Sequence, residues 1–180
     1  RRKIILENAA GEGNKLGSTL EDIREIIKEI PDNLKSQVKV CIDTAHAFGA
    51  GLYKWGEPNE VKKFYKDFDR IVGLKYLEVF HLNDSRRSEK KANNAPFGSK
   101  KDRHENLGLG YIFHDDSNDH GSDGLKEFFR MAYKKKIPVI GEPPGKTDAG
   151  GEGPGGLRDW YYVCDLLVNT KYPLIKEIEF

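Results

Sequence analysis

Sulfur is scarce in this chain. Of 180 residues, only Cys41, Cys164 and Met131 carry it. Two cysteines in apolar contexts on different predicted elements argue against a disulfide framework and read as buried free thiols in a reducing compartment. Long apolar runs are missing too. None approaches the ~20 residues of a membrane span, and no signal-peptide pattern is apparent, so an intracellular location, cytoplasm or nucleus, is expected. Net charge is nearly absent at +1, which decides nothing about nucleic acid, because local patches matter more than the total. The chain opens Arg-Arg-Lys and enters a strand at once, so a piece of a longer protein is expected.

What is present is a repeated alternation of strand and helix patterns. Ile4–Leu6 is a short apolar run ending at Glu7, and a Gly-rich loop follows from Asn8 to Gly17. Ser18 with Glu21 predicts a capping box. Leu20, Ile23, Ile26, Ile27 and Ile30 then recur at helical spacing until Pro31. Val38–Ile42 predicts a second strand, ending at Asp43, with a loop from Thr44 to Gly56 that carries His46. Pro58 suits the first turn of the next helix and Gly73 its C-terminal cap. A third strand, Tyr76–Phe80, ends at His81, and a long polar stretch holds Asp102 and His104. A helix around Leu125–Ala132, a fourth strand over 137–141 ending at Glu142, and a last helix through Leu157–Leu167 complete four βα units. Strands apolar on both faces are those of a parallel sheet covered by helices. The expected divisions are one domain over 1–168 and a tail over 169–180.

Each predicted strand ends in a side chain able to bind a metal: Glu7, Asp43, His81 and Glu142. One acid after one strand is usually a cap or a loop residue. Four out of four, on the rim where α/β barrels build their sites, is a pattern. Asp102 and His104 stand two apart, so an extended backbone points both the same way, and His46 lies in another loop of that rim. Oxygen and imidazole donors without a nearby thiolate suit Zn²⁺ or Mn²⁺. Arg86, Arg87, Lys90, Lys91, Lys100, Lys101 and Arg103 fall between the ligand sets, a patch that would attract a phosphate polymer; a solvated charge run is the plainer reading. Tyr53 and Trp55 suit either a substrate contact or a cover over the rim.

The segments Leu6-Glu-Asn-Ala-Ala-Gly-Glu-Gly13, Val40-Cys-Ile-Asp-Thr-Ala-His-Ala-Phe-Gly-Ala-Gly51, His81-Leu-Asn-Asp84 and Phe97-Gly-Ser-Lys-Lys-Asp-Arg-His-Glu-Asn-Leu-Gly108 resemble the endonuclease IV family, zinc-dependent apurinic/apyrimidinic (AP) endonucleases of base excision repair. The resemblance implies a (β/α)8 TIM barrel with up to three zinc ions, of which this chain is the C-terminal four βα units. It implies hydrolysis of the phosphodiester 5′ to an abasic site in duplex DNA. Glu7 is then the carboxylate bridging two ions, Asp43, His81 and Glu142 complete one of these, and His46, Asp102 and His104 hold the third. Glu7 and Glu142 are the expected catalytic residues, and Arg86, Arg87, Lys100, Lys101 and Arg103 the expected DNA contacts.

Two further histidine ligands of the family have no counterpart here, because the N-terminal half of the barrel is missing from this chain. Leu109 and Pro143 stand where the family usually has Glu and Thr, and the loop over 85–95 is longer and more basic than usual. A sugar isomerase or epimerase on a related barrel is the competing reading, and a catalytically incomplete metal- or DNA-binding fragment is a third.

Overall fold

The computed structural model describes residues 2–114, 121–144 and 155–169. In chain order the strands are β1 (Ile4–Glu7), β2 (Val38–Asp43), β3 (Leu77–Leu82), β4 (Asp84–Ser85), β5 (His104–Glu105) and β6 (Val139–Gly141). The helices are α1 (Leu20–Glu29), α2 (Asp32–Lys35), α3 (Thr44–Gly49), α4 (Pro58–Ile71), α5 (Gly121–Lys135) and α6 (Gly155–Asn169). β1, β2, β3 and β6 form one parallel sheet in that order, and β4 and β5 pair antiparallel beside it. This is a partial TIM-barrel-like fold of four βα units. The expected tail beyond Asn169, the acidic loop at 115–120 and most of the Gly/Pro-rich loop after Pro144 lie outside the described residues.

Helix starts follow hydrogen-bond chemistry more closely than the simple sequence template. The capping box of α1 uses Thr19 and Asp22, not Ser18 and Glu21. Thr19 Oγ1 accepts from Asp22 N at 3.1 Å, while Asp22 Oδ2 accepts from Thr19 N at 3.2 Å and also from Ser18 N. Pro31 does end the helix, but it also leads into α2, which the sequence pattern did not mark. The stretch read as a loop from Thr44 begins instead with α3, capped by Asp43, whose Oδ1 accepts from His46 N at 2.9 Å. Pro58 and Gly73 fill their expected places; Gly73 has φ 96, which glycine alone adopts freely.

The core between sheet and helices is aromatic. Trp55 packs at a tilt against Phe64 with centroids 4.8 Å apart, and Phe80 packs edge-on against Phe128 at 4.8 Å. Trp55 is fully buried and Tyr53 nearly so, so neither offers a face to a substrate; both pack the fold. Here α5 comes so close that a side chain on Gly124 would meet the backbone of Trp55 and Gly56.

Register staggers the end of β1 two residues below that of β2 and keeps the donor side chains on one face. Glu7 pairs with Cys41, and Asp43 with His81. The second pairing depends on a shift in β3. Val40 faces Leu77, but Cys41 faces Val79, so Glu78 is the extra residue of a bulge. Continued without the shift, the register would put Phe80 opposite Asp43 and turn His81 to the other face.

Candidate metal centre

The structure gathers all seven sequence-marked donors on one rim: Glu7, Asp43, His81 and Glu142 at the C-terminal ends of β1, β2, β3 and β6, His46 on α3, and Asp102 and His104 at the start of the β5 segment. Ligand atoms of Glu7, Asp43, His81 and Glu142 lie within 4.8 Å of one another. His81 Nδ1 is 3.2 Å from Glu7 Oε1 and 3.1 Å from Glu142 Oε2. A second group joins Asp43, His46 and His104. Asp102 Oδ1 faces both rings of that group, 3.2 Å from His46 Nε2 and 3.4 Å from His104 Nε2. Asp43 therefore serves both groups, whereas the sequence reading gave it to one.

Backbone carbonyls fix how the two rings present themselves. His46 Nδ1 lies 2.8 Å from Asn8 O, and His104 Nδ1 lies 3.3 Å from Glu142 O. A carbonyl only accepts, so each Nδ1 carries the proton and each neutral ring keeps its lone pair on Nε2. Both Nε2 atoms are buried with no hydrogen-bond partner, although Asp43 Oδ2 lies 3.5 Å from that of His104. Rings oriented through Nδ1, with bare Nε2 atoms aimed at carboxylates, suit a divalent cation. The His46 pKa is raised even though burial acts to lower it, because Asp43 and Asp102, with the Asn8 carbonyl and Glu7, outweigh that burial.

A thiol also stands at the site, contrary to the expectation. Cys41 Sγ groups with Glu7 and His81. The signal was in the sequence, since Cys41 and Asp43 are two apart on one strand and share a face. Burial, then the charge of Glu7, push the thiol up to about 12, so in the metal-free chain it stays protonated at neutral pH. Cys41 is buried and Cys164 half-buried, and both are free.

The sequence reading missed two asparagines. Asn8 receives Asp43 N on Oδ1 at 2.7 Å and donates from Nδ2 to Asp43 O at 3.3 Å. Asn83 donates to the carboxylates of both Asp43 and Glu142. Only their places beside ligands hinted at such work.

The basic residues divide. Arg86 is half-buried and donates through Nε and Nη2 to His104 O at 3.0 and 2.8 Å, so it holds the ligand strand. Lys101 Nζ donates to Ala92 O and Asn94 O, both at 3.1 Å. These two make bonds within their own chain. Arg87, Lys100 and Arg103 are exposed; Arg103 lies 3.8 Å from Glu12, whose carboxylate accepts from Asp102 N at 3.0 Å.

A family model described as a xylose isomerase-like TIM barrel matches residues 2–138. The chain belongs to that family. Within it, the likeness runs to the endonuclease IV-like AP endonucleases. The chain is 39% identical over 158 residues to apurinic-apyrimidinic endonuclease 1 of Saccharomyces cerevisiae, covering 88% of this chain and 38% of that protein. It is 40% identical over 146 residues to a probable endonuclease 4 of Acholeplasma laidlawii, covering 81% and 42%. The crystal structure of endonuclease IV from Thermus thermophilus superposes with a TM-score of 0.65 at 28% identity, covering 92% of this chain and 49% of that one. The chain thus spans less than half the length of these relatives. Among the described residues no helix is long and apolar enough to cross a membrane.

Proposed function

We propose that this chain is the C-terminal half, strands five to eight, of a (β/α)8 barrel that in complete form is a zinc-dependent AP endonuclease, hydrolysing the phosphodiester 5′ to an abasic site in duplex DNA. The observation that carries this reading is the pair of donor groups meeting at Asp43, with two bare histidine Nε2 atoms between carboxylates. A sugar isomerase uses the set at the strand ends but has no task for a second set built from His46, Asp102 and His104. The relatives named as AP endonucleases add support.

Charge supports the same reading. Glu7, Asp43, Asp102 and Glu142 bring four carboxylates to one rim, which would repel a phosphodiester unless cations neutralise them. Three imidazoles among these oxygens favour Zn²⁺, with Mn²⁺ the next choice. Bound there, such an ion supplies Lewis acidity and a water activated at neutral pH. Glu7, Asp43, His81 and Glu142 would hold one such ion and His46, Asp102 and His104 another, and Glu142 would orient the attacking water. Arg87, Lys100 and Arg103 draw in the DNA backbone. An abasic nucleotide has no base to unstack, so extruding it costs less than flipping an intact one. A DNA substrate also places the protein inside the cell.

A duplex carrying one abasic analogue, incubated with the full-length protein, tests this. Cleavage on the 5′ side is expected, lost on prolonged chelation and restored by zinc. An intact duplex together with conversion of free ketoses would establish the isomerase reading instead. Zinc uptake with neither activity would leave a binding fragment.

A further inference from the structure

Asp43 and Glu142 belong to strands that do not touch: β3 lies between β2 and β6 in the sheet. Whatever holds these two carboxylates at a fixed separation must come from the end of β3. Asn83 sits there, 1% exposed. Its Nδ2 donates to Asp43 Oδ2 at 2.6 Å and to Glu142 Oε2 at 3.3 Å, and its Oδ1 accepts from Glu142 N at 2.9 Å. Its backbone is locked as well. Asn83 N donates to Thr44 Oγ1 at 2.9 Å, and that hydroxyl donates to Asn83 O at 2.7 Å.

We propose that Asn83 is the positioning residue of the metal centre: its amide spans β2 to β6 and sets the separation of the Asp43 and Glu142 carboxylates before any cation arrives. The inference rests on the metal-binding reading of the cluster. Side-chain chemistry leaves few alternatives at this position. Two carboxylates converging on one point repel each other, and a neutral group with two N–H bonds satisfies both without adding charge. Aspartate would offer only acceptors there. Glutamine would carry the amide one methylene too far for a buried site. Both donors go to carboxylates of the candidate cluster, so the amide's main work is on the donor set. Asp43 Oδ1 is held separately, by capping α3, so the half of Asp43 that orients His46 does not depend on Asn83.

The test uses the full-length protein with zinc as the probe, measured by competition against a chromophoric chelator, and with cobalt for its ligand-field absorption. Asn83→Ala is expected to weaken the ion among Glu7, Asp43, His81 and Glu142 by roughly 10–100-fold and to shift the cobalt spectrum, because freed carboxylates change their coordination. Asn83→Ser, which keeps the backbone bonds with Thr44, is measured beside it against a folding defect. Ser85→Ala is the control. It removes another buried hydrogen bond of this segment, Ser85 Oγ to Ala95 O at 2.6 Å, and should leave zinc affinity unchanged. Wild-type affinity and spectrum in the Asn83 variants would overturn the proposal, as would an equal loss in Ser85→Ala. If neither Asn83 variant folds, Asn83 is a folding residue and the proposal is wrong. A wild-type chain that takes up no zinc sinks this proposal and the metal-centre reading together, an outcome distinct from the others.

Discussion

His46 and His104 carry the most specific residue-scale signal. Each gives its Nδ1 proton to a backbone carbonyl and leaves a buried Nε2 without a partner. His104→Ala should therefore remove one bound ion and leave the ion among Glu7, Asp43, His81 and Glu142 largely in place, counted by metal analysis; loss of both would refute two separate positions. Proton competition follows from the raised pKa of His46. In the metal-free chain its protonated form is favoured above the ordinary ~6.5, so the stability it contributes is full below that value and lost as pH rises through the raised one. Metal binding needs the neutral ring, so zinc uptake should release a proton near neutral pH, and occupancy at limiting zinc should fall as pH drops towards 5. Calorimetry in buffers of different ionisation heat measures the proton directly. No proton release, and full occupancy at pH 5, would remove His46 from the ligand set.

At the scale of elements, the segment after β5 is organised by a carboxylate that the sequence did not advertise. Asp84 is fully buried and accepts from the backbone N–H groups of Ser85, Gly108, Gly110, Ile112 and Phe113. A side chain on Gly110 would collide with Asp84 and with the Ser85 carbonyl. Burial pushes the Asp84 carboxyl up to about 6, with the N–H groups pulling the other way. Its stabilising contribution is thus full below the unfolded value of ~3.9 and declines as pH rises through about 6. Asp84→Asn should remove that pH dependence and cost about 2–3 kcal/mol in urea unfolding, since several buried donors lose a full acceptor. Amide exchange should speed up first over Gly108–Phe113, and unchanged protection there would contradict the anchoring role. Element existence was legible from apolar spacing: all four strands and the long helices fell where the pattern put them. The β3 bulge was not. Leu77, Val79 and Phe80 look the same to a strand pattern in either register, and only pairing with β2 settles which face His81 takes. α3 was hidden because its six residues, Thr44 to Gly49, are too few to carry a helical stripe, and its start depends on Asp43 acting as a cap.

For the whole molecule, the open ends of the sheet matter most. β1 and β6 are the outer strands, and Ile4, Ile5 and Ile140 on them are 66%, 46% and 51% exposed. Trp160 and Tyr161 on α6 are also exposed, while Val163 and Leu167 on the same helix are buried. Apolar spacing shows that a residue wants cover; it does not show whether this chain supplies it. Unpaired parallel edges of this kind associate, so sedimentation of residues 1–180 should show self-association or aggregation, reduced by Ile5→Lys and Ile140→Lys. A clean monomer for the unaltered chain would argue that the sheet needs no further strands. Of the seven candidate donors, Glu7, Asp43, His81 and Glu142 were legible because the strands themselves fix where they end, and His46, Asp102 and His104 by their places in the loops of the same rim, while the parts of Asn8 and Asn83 became visible only with the register. Anomalous diffraction at the zinc edge, on crystals of this chain grown with zinc, tests the central claim most directly. Two peaks are expected, one among Glu7, Asp43, His81 and Glu142 and one between His46, Asp102 and His104. Zinc bound elsewhere, or no peak at these donors, would contradict the account.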